Sequence, residues 1–369
     1  MAAFFYGTLC DDALLETVLG RKVEVVGARL PDHKVLWSDQ GAWPVLVGAP
    51  GAQAPGLVLE DVTDADLERL DFYEAVFGYG RREALVEVAG TAQVARLWLP
   101  DQVGAGAGDW SLADWQRDWG AVAVATAGDV MALRWQHDPA AIGRRYRQML
   151  VRGASRVRAA ASAPTTLRRR AEPGDVVVEQ LRQPYGHFFA VEEYDMRFRR
   201  FDGGMSEQIN RAVFLSGDAV TVLPYDPMRD RVLLVEQFRA AVFGRGDAQP
   251  WQLEAIAGRI DPDEGPEQAA RREAVEEAGL ELGALEFVAR FYPSPGAKSE
   301  YLYSYVALCD LPDGVEGVFG VESEAEDIRG HLVGFAEFIA MVSSGEIENG
   351  PLLVTALWLQ RERGRLRGM

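Results

Sequence analysis

The chain has 369 residues, of which 48% are apolar, and carries a formal net charge of −18. This length predicts two domains of ordinary size, and the apolar content is sufficient for a core in each. The strong negative charge argues against a nucleic acid polymer as partner, because phosphate backbones are bound by basic surfaces.

The chain starts MAAFFYGTLCDDALLE, which lacks the basic n-region of a secretory signal. No apolar run approaches the length of a membrane-spanning helix. The two cysteines, Cys10 and Cys309, are too few for a disulfide framework and agree with a reducing compartment. We therefore expect a soluble, cytoplasmic protein that does not bind a membrane.

The sequence of the N-terminal region predicts strands that alternate with turns. A strand is predicted at 3–9, and a helix at 11–19 that Gly20 caps. Further strands are predicted at 23–30, 42–47 and 56–59. Thr63 is the expected N-cap of a second helix, with Leu67 and Leu70 facing inward.

Glu74 follows this helix and has aromatic residues close to it in sequence. Burial among aromatic rings favours the neutral form of a carboxyl group, raises its basicity and so makes a general base. A structural alternative is a small β-barrel in which Glu74 only pairs with Arg81 or Arg82. The aromatic neighbours are Phe72, Tyr73, Phe77 and Tyr79.

The glycine turn at residues 6–9 and the Leu-Asp-Phe-Tyr-Glu stretch ending at Glu74 resemble the gamma-glutamylcyclotransferase (AIG2-like) family. The resemblance implies a small β-barrel in which the turn holds the glutamyl carboxylate and Glu74 takes a proton from the α-amine. Threonine stands where serine is common in the turn, and Ala75 stands where glycine often follows the glutamate. The substrate-binding turn would consist of Tyr6, Gly7, Thr8 and Leu9.

A tryptophan-rich helix is predicted at 110–119, with anchoring between domains as its expected role. A second helical stripe includes Ile142, Tyr146, Met149, Leu150 and Val157. The same region contains a run of arginines without acidic residues, here called the arginine belt (residues 144–170). Such a belt is most often a solvated face or docks on an acidic neighbour, with nucleic acid binding as a weaker alternative.

The AAASAP run at 159–164 is typical of a linker. It predicts a first domain at 1–158, a linker at 159–175 and a second domain at 176–369. In the second domain, strands and helices around one sheet predict an α/β architecture. The strands are predicted at 176–181, 188–198, 211–215, 219–223, 231–238, 286–291 and 301–308, and the last helices at 335–343 and 351–364.

Residues 258–280, GRIDPDEGPEQAARREAVEEAGL, combine a glycine-led loop with an acidic helix. Glu273, Glu276 and Glu277 lie on one helical stripe, because residues three and four apart share a face. A hard divalent cation such as Mg²⁺ would neutralise this charge. The alternative from the residues alone is a solvated acidic face. Pro266 and Gly279 predict where the helix begins and ends.

The spacing of these residues resembles the Nudix box, with Gly258, Glu264, Arg272-Glu273, Glu276-Glu277 and Gly279 at its fixed positions. The resemblance implies an α/β/α sandwich that cleaves diphosphates with a metal ion. Pro295, fifteen residues after Leu280, resembles the marker of the ADP-ribose pyrophosphatase branch. Segments such as LPYDPMRDRVLLVEQFR and EAEDIRGH also resemble that branch.

The branch resemblance implies a role for each matching residue. The metal, Mg²⁺ or alternatively Mn²⁺, would be bound by Glu273, Glu277, Glu326 and the backbone carbonyl of Ala257. Glu324 would be the general base, with Glu276 as a further catalytic residue. Substrate would contact Phe188, Arg211, Arg239 and Glu300. Members of the branch are dimers with exchanged N-terminal strands, so a homodimer is expected.

The sequence therefore predicts hydrolysis of ADP-ribose or a related nucleoside diphosphate sugar to AMP and a sugar phosphate. Hydrolysis of a GDP-sugar is an alternative within the class. A non-catalytic ADP-ribose sensor and a main role in gamma-glutamyl cyclotransfer are alternatives from other classes. Proteins that resemble this fusion sometimes carry a tellurite-resistance label.

Overall fold

The computed structural model describes residues 2–102, 104–161, 164–321 and 326–368. The chain forms two compact units, Met1–Val213 and Phe214–Met369. Both contain strands and helices, which confirms the prediction of a two-domain α/β protein. The units divide later in the chain than the predicted linker at 159–175, because a three-stranded sheet follows that linker.

A closed barrel forms the N-terminal part of the first unit. Its strands follow the order β3-β1-β5-β4-β2, and β2 pairs with β3 to close the ring. The inner core includes Phe4, Leu30 and Leu97, which confirms the predicted barrel. The strands are β1 (Ala2–Phe5), β2 (Val26–Ser38), β3 (Pro44–Leu59), β4 (Tyr79–Val88) and β5 (Thr91–Pro100), with β6 (Gly106–Asp109) added to β2.

Helices pack on the barrel and enclose a second core, which contains Leu70, Trp115 and Met149. The tryptophan-rich stretch thus contributes to the core of the first unit, and it continues from α3 into a π-helical turn at Gln116–Gly120. The helices are α1 (Asp12–Leu19), α2 (Asp64–Ala75), α3 (Leu112–Trp115), α4 (Ala121–Ala132), α5 (Pro139–Gly143) and α6 (Tyr146–Ala159).

The predicted ends of the first two helices are confirmed. The Asp11 carboxylate accepts a hydrogen bond from the Leu14 N–H at 2.8 Å and caps α1, and Gly20 ends it in the left-handed conformation at φ 69°. Thr63 caps α2 in a reciprocal capping box. The predicted strand at 3–9 is shorter, because the chain turns into a 3₁₀ helix at Thr8–Cys10.

The arginine belt is not uniformly solvated. Arg145 and Arg152 are buried, and Arg156 pairs with Asp129 at 2.9 Å. After the belt, three strands form a separate small sheet in the order β7-β8-β9, in which β7 and β8 are antiparallel. They are β7 (Val176–Gly186), β8 (Ala190–Phe198) and β9 (Ile209–Leu215).

The second unit is built on one eight-stranded sheet, in which β10 and β11 are central. The main order is β14-β15-β10-β11-β17-β16, with β12 beside β11 and β13 beside β10. The strands are β10 (Ala219–Asp226), β11 (Arg231–Phe238), β12 (Trp251–Glu254), β13 (Ile256–Arg259), β14 (Ala284–Phe291), β15 (Leu302–Leu308), β16 (Val318–Phe319) and β17 (Ile328–Gly334).

Helices cover both faces of this sheet, which confirms the predicted α/β/α sandwich. Alternate residues of β11 point to opposite cores: Val235 packs with α8, whereas Leu234 packs with α9 and α10. The helices are α7 (Ala240–Arg245), α8 (Pro266–Ala278), α9 (Phe335–Ser344) and α10 (Gly350–Leu366). Within the described ranges, none of them combines the length and apolar character needed to cross a membrane.

The cap of α2 gives a pH-dependent contribution to stability. Burial alone would raise the pKa of Asp66, but hydrogen bonds from Arg21 and Thr63 outweigh it and lower the pKa to about 2. A depressed carboxyl pKa stabilises the folded state above the unfolded pKa of 3.8, and this contribution is lost as the pH falls through about 2. At neutral pH, Asp66→Asn should therefore cost about 1 to 2 kcal/mol, allowing for the exposed Arg21.

Denaturant unfolding between pH 2 and pH 7 measures this difference in the free energy of unfolding. The gap between wild type and Asp66→Asn should narrow below about pH 4. Asp64 is exposed in the same helical turn, so Asp64→Asn is the matched control and should stay within about 0.5 kcal/mol of wild type. A pH-independent gap would contradict the assignment.

Candidate active sites

The acidic helix α8 buries one of its faces against the sheet of the second unit. Pro266 occupies its first turn and Gly279 ends it at φ 60°, as the sequence predicts. Small side chains let the buried face lie close to the sheet. These are Ala269, Ala270, Ala274 and Ala278. Glu273 and Glu277 are buried beside these alanines, whereas the Glu276 side chain is 36% exposed.

Arg272 connects the acidic helix to the loop before it. Its Nη2 donates to Glu264 Oε1 at 2.6 Å and to the Arg259 carbonyl at 3.0 Å. Its Nη1 donates to Glu273 Oε1 at 2.7 Å and to Glu276 Oε2 at 2.9 Å. Glu264 also accepts from the Asp261 N–H at 2.9 Å. The guanidinium thus neutralises part of the glutamate stripe and holds Glu276 on the exposed side.

Gly258 is required by the position of Glu273. A Cβ atom added at residue 258 would lie 1.8 Å from Glu273 Oε1, far inside any permitted contact. The absence of a side chain therefore lets the carboxylate lie directly on strand β13. Burial raises the pKa of Glu273 to about 7, although the neighbouring Arg272 lowers it.

Glu277 lies one helical turn after Glu273 and is almost fully buried, at 2% exposure. Its Oε2 accepts a hydrogen bond from the Ala257 N–H at 3.1 Å. Burial raises the pKa of Glu277 to about 8, and the charges of Glu273 and Glu326 act in the same direction. The structure therefore brings Glu273, Glu277 and Ala257 together, as the sequence predicts.

These carboxylates fit a divalent cation in donor type and in charge, because two buried acidic groups lie side by side and oxygen is the ligand that Mg²⁺ prefers. Glu326 is close enough to act on both electrostatically, and its own Oε2 accepts from the Val321 N–H at 3.2 Å. Within the described part of the chain, no three acidic, histidine or cysteine side chains form a ready metal cluster. Glu324, the predicted general base, lies outside the described residues.

The predicted substrate residues of the second unit are each held by a neighbour. Arg239, which follows β11, donates through Nε to Glu254 Oε1 of the neighbouring strand β12 at 3.0 Å. Glu300 accepts from Lys298 Nζ at 2.9 Å and from the Ser216 hydroxyl at 3.3 Å. These partners fix both side chains in place before any ligand binds.

The other two predicted substrate residues lie in the first unit. Phe188 is half exposed and contacts Phe189 edge to face, with ring centroids 4.8 Å apart. Arg211 is exposed, and its Nη1 donates to the Asn210 carbonyl at 2.7 Å. Their assignment to a nucleotide site therefore stays a prediction.

A cavity of about 600 Å³ in the first unit brings the predicted turn and Glu74 together. Tyr6 of the turn donates its hydroxyl to the Trp98 carbonyl at 3.1 Å. Gly7 lies against Pro44, because a Cβ atom there would be 2.5 Å from the proline ring. Thr8 and Leu9 begin the short 3₁₀ helix. Tyr6, Gly7, Thr8, Leu9 and Glu74 all line this cavity.

Glu74 is buried in this cavity and is not paired with the arginines that follow it in sequence. Burial raises its pKa to about 8. The arginines that could have neutralised it pair elsewhere: Arg81 contacts Asp71 at 3.3 Å and Arg82 contacts Asp101 at 3.1 Å. The structural alternative, in which Glu74 only pairs with one of these arginines, is therefore wrong.

Sequence reasoning missed the far wall of this cavity. Tyr146, Arg147 and Leu150 of α6 line it together with Gly143 of α5. The apolar stripe at 142–157 predicts buried residues here, but Arg147 was placed only in the arginine belt. Its position three residues before Leu150 is the signal that puts it on the same helical face.

Each half of the chain contains a segment that matches a known protein family. The NUDIX domain family matches residues 215–352. The ADP-ribose pyrophosphatase of Escherichia coli strain K12 is 38% identical over 193 residues, which cover 52% of this chain and 91% of that protein. The C-terminal half belongs to the Nudix family. The gamma-glutamyl cyclotransferase, AIG2-like family matches residues 3–117, so both predicted resemblances are confirmed.

Other relatives of the Nudix domain differ in the activity that their names state. The ADP-ribose pyrophosphatase of Haemophilus influenzae is 34% identical over 185 residues, covering 50% of this chain and 85% of the relative. The GDP-mannose pyrophosphatase of Pectobacterium atrosepticum is 36% identical over 184 residues, covering 49% of this chain and 91% of the relative. Relatives with this degree of sequence identity thus include proteins named for an adenine nucleotide and proteins named for a guanine nucleotide.

The close approach of Gly258 to Glu273 can be tested by substitution. Gly258→Ala should displace the Glu273 carboxylate from β13 and lower the free energy of unfolding of the Nudix domain by about 1 to 3 kcal/mol. Gly265→Ala in the same loop is the control, since its Cβ would meet only Gln268 Oε1 at an ordinary 3.5 Å. Chemical denaturation of both variants measures the effect. Equal stability would show that Glu273 does not need the glycine.

Proposed function

We propose that the Nudix domain hydrolyses the diphosphate bond of ADP-ribose or a related ADP-sugar and releases AMP and a sugar phosphate. The observation that carries this proposal is the buried Glu277 carboxylate, which accepts from the Ala257 N–H, with Glu273 one helical turn earlier in α8 and packed against Gly258 of the same strand β13. Such a cluster of hard oxygen donors suits a divalent cation bound beside a diphosphate. The intact acidic cluster also favours an enzyme over a non-catalytic sensor.

Glu273, Glu277, Glu326 and the Ala257 carbonyl are the residues that would hold the metal, Mg²⁺ or alternatively Mn²⁺. When bound, the metal supplies charge neutralisation of the diphosphate and a lowered pKa for a bound water. Arg239 contributes a guanidinium that is fixed by Glu254 and can bind phosphate oxygens through its remaining N–H groups. Glu324 is proposed as the base that deprotonates the attacking water, with Glu276 in a supporting role.

The choice between ADP-ribose and a GDP-sugar rests on the branch resemblance around Pro295 and on the higher identity to ADP-ribose pyrophosphatases, 38% against 36%. Because the difference is small, hydrolysis of a GDP-sugar is the second candidate for the same site. The substrate contacts of Phe188, Arg211 and Glu300 belong to this proposal. The homodimer, the cytoplasmic location, the tellurite link and the boundary at 159–175 stay predictions.

A gamma-glutamyl cyclotransfer in the barrel is a separate candidate activity, favoured by the cavity that unites the glycine turn with Glu74. A carboxyl group with a pKa of about 8 can accept a proton and return it near neutral pH. The backbone N–H groups of the turn at residues 7–9 are proposed to hold the glutamyl carboxylate.

Replacing Glu277 tests the hydrolase. Glu277→Gln removes one charged ligand but keeps the shape of the side chain, so kcat/KM for ADP-ribose should fall about a thousand-fold. Release of AMP from ADP-ribose, and of GMP from GDP-mannose, is measured with Mg²⁺ and with Mn²⁺. The relative rates decide the nucleotide.

Glu267→Gln is the matched control, because Glu267 is an exposed glutamate of the same helix. Its activity should stay within about three-fold of wild type, as surface changes away from the site are nearly neutral. Circular dichroism must show that both variants are folded. Full activity in folded Glu277→Gln would refute the site.

Replacing Glu74 tests the cyclotransferase. Glu74→Gln should abolish release of 5-oxoproline from γ-glutamyl amides, because the amide cannot accept the proton. The substitution should also change the free energy of unfolding. The pKa of Glu74 is about 8 in the folded protein and 4.5 in the unfolded chain, so wild type loses stability as the pH rises from 4.5 to about 8. The Gln variant should lack this loss and be the more stable protein above about pH 8.

Glu68 is exposed on the same helix α2, so Glu68→Gln controls for the change of charge. It should keep the activity and the pH dependence of wild type. If Glu74→Gln retains 5-oxoproline release, Glu74 is not the base. If wild type releases none, the barrel has another role.

A further inference from the structure

Two buried arginines of the first unit have guanidinium atoms without a hydrogen-bond partner. Arg145 directly precedes α6 and is 8% exposed, and Arg152 lies within α6 and is 7% exposed. Nε and Nη2 of Arg145 and both Nη atoms of Arg152 are buried and make no hydrogen bond with the described residues. Burial lowers the pKa of both groups. A buried cation is costly unless it is paired, so these atoms are suited to an anion that is not part of the chain.

Arg145 lies between α6 and the small sheet. A Cβ atom at Gly186 of β7 would be 1.5 Å from Arg145 Nη1 and 2.6 Å from Gln183 Oε1, so the guanidinium rests on the backbone of this strand. Gln136, which follows α4, holds the strand in place: it donates to the Leu181 carbonyl at 3.1 Å and accepts from the Gln183 N–H at 2.9 Å. The Nη1 side of Arg145 is thus occupied by the protein, whereas its Nε and Nη2 edge is not.

The acidic groups nearest to Arg152 are engaged by other residues. Asp129 pairs with Arg156 at 2.9 Å, and Glu192 accepts a hydrogen bond from the Tyr194 hydroxyl. Both carboxylates act on Arg152 through their charge, and the second buried arginine acts on it with the opposite sign. Three basic groups therefore face two acidic groups in this cluster, which leaves one positive charge without a counter-charge.

The unpaired atoms of Arg145 are the ones that bind an oxyanion elsewhere in this chain. Arg21 holds the Asp66 carboxylate through Nε at 3.0 Å and through Nη2 at 2.6 Å. Arg145 has the same edge buried and unpaired, and Arg152 has its Nη1 and Nη2 edge buried and unpaired. Each edge of a planar guanidinium can bind two oxygens of one carboxylate or phosphate.

We propose that Arg145 and Arg152 form a buried site for a free tetrahedral oxyanion of the phosphate type between α6 and the small sheet. Four N–H-bearing atoms on two guanidinium groups suit an anion with more than two oxygens better than they suit a carboxylate. The anion would cancel the surplus positive charge and would join α6 to β7, on which Arg145 rests. The site lies outside both catalytic sites, so this inference is independent of the two proposed activities.

Calorimetry on the full chain tests the site, in a chloride buffer with a metal chelator. Inorganic phosphate should bind to wild type with a stoichiometry of about one, whereas acetate, which has two oxygens, and ribose 5-phosphate, which is too large for an enclosed site, should bind at least about ten-fold more weakly. Arg145→Gln and Arg152→Gln should each weaken phosphate binding about ten-fold or more, as expected for hydrogen bonds to a charged group.

Arg144→Gln is the matched control, because Arg144 is exposed in the same segment. It should leave the phosphate affinity within about two-fold of wild type. Phosphate that binds at the diphosphate site of the Nudix domain instead would respond to none of these three substitutions. No binding of phosphate to wild type, unchanged affinity in Arg145→Gln and Arg152→Gln, or equally tight binding of ribose 5-phosphate would each overturn the proposal.

Arg152→Met provides a second measurement that does not depend on binding heats. It keeps most of the side-chain volume and removes the charge, so in phosphate-free buffer it should unfold at the wild-type temperature or above. Phosphate at about ten times its dissociation constant should raise the unfolding temperature of wild type by about 3 °C and leave that of the variant unchanged. Hydrogen exchange in β7 (Val176–Gly186) should slow with phosphate in wild type alone. A clearly lower unfolding temperature of Arg152→Met without phosphate would show that the chain itself satisfies this arginine, and would refute the site.

Discussion

The Arg272 guanidinium is the contact on which the Nudix site depends. It joins the Glu264 carboxylate and the Arg259 carbonyl of the loop to Glu273 and Glu276 of the helix. Without this cation, adjacent carboxylates on one stripe would repel each other and the loop would lose its attachment. The same contact separates roles: Glu276 is held on the outer side, whereas Glu277 turns inward to the backbone of β13. Arg272 thus holds Glu273 and Glu276, whereas the Ala257 N–H holds Glu277.

Burial raises the pKa of two glutamates of this chain to a similar value, whereas the functions proposed for them differ. The pKa values of Glu74 and Glu277 both rise to about 8 because the protein removes water from them. Glu74 lies in a cavity lined mainly by aromatic rings. These surroundings suit the transfer of a proton between Glu74 and a ligand. Glu277 has other carboxylates beside it, and that concentration of negative charge suits a cation. The neighbouring residues are therefore the reason why proton transfer is proposed for Glu74 and metal binding for Glu277.

Local signals in the sequence predict much of this structure. The predicted caps at Gly20, Thr63 and Gly279 each place one helix end correctly, because a cap satisfies backbone groups within a few residues. The box spacing likewise places Glu273 and Glu277 together, since one helix carries both. Arg147 could not be assigned to the cavity, because the cavity is lined by segments that are far apart in sequence.

Strand pairing and ion-pair partners could not be predicted from the sequence either, because they also join residues that are far apart in the chain. Strand closure between β2 and β3 depends on register over long hairpins, which no short pattern specifies. The partners of Arg81 and Arg82 depend on which face of β4 each side chain occupies. Electrostatic neighbours of this kind are set by the assembled fold, whereas helix ends are set by the adjacent residues.

The burial of Ile142 and Met149 in the core around the barrel has a practical consequence for dissecting the chain. A fragment cut where the family match ends, at residue 117, would leave an apolar groove open to water and would invite aggregation. The smallest autonomous piece must run at least to the end of α6 at Ala159. The segment that matches the family and the segment that is expected to fold on its own thus end at different residues of this chain.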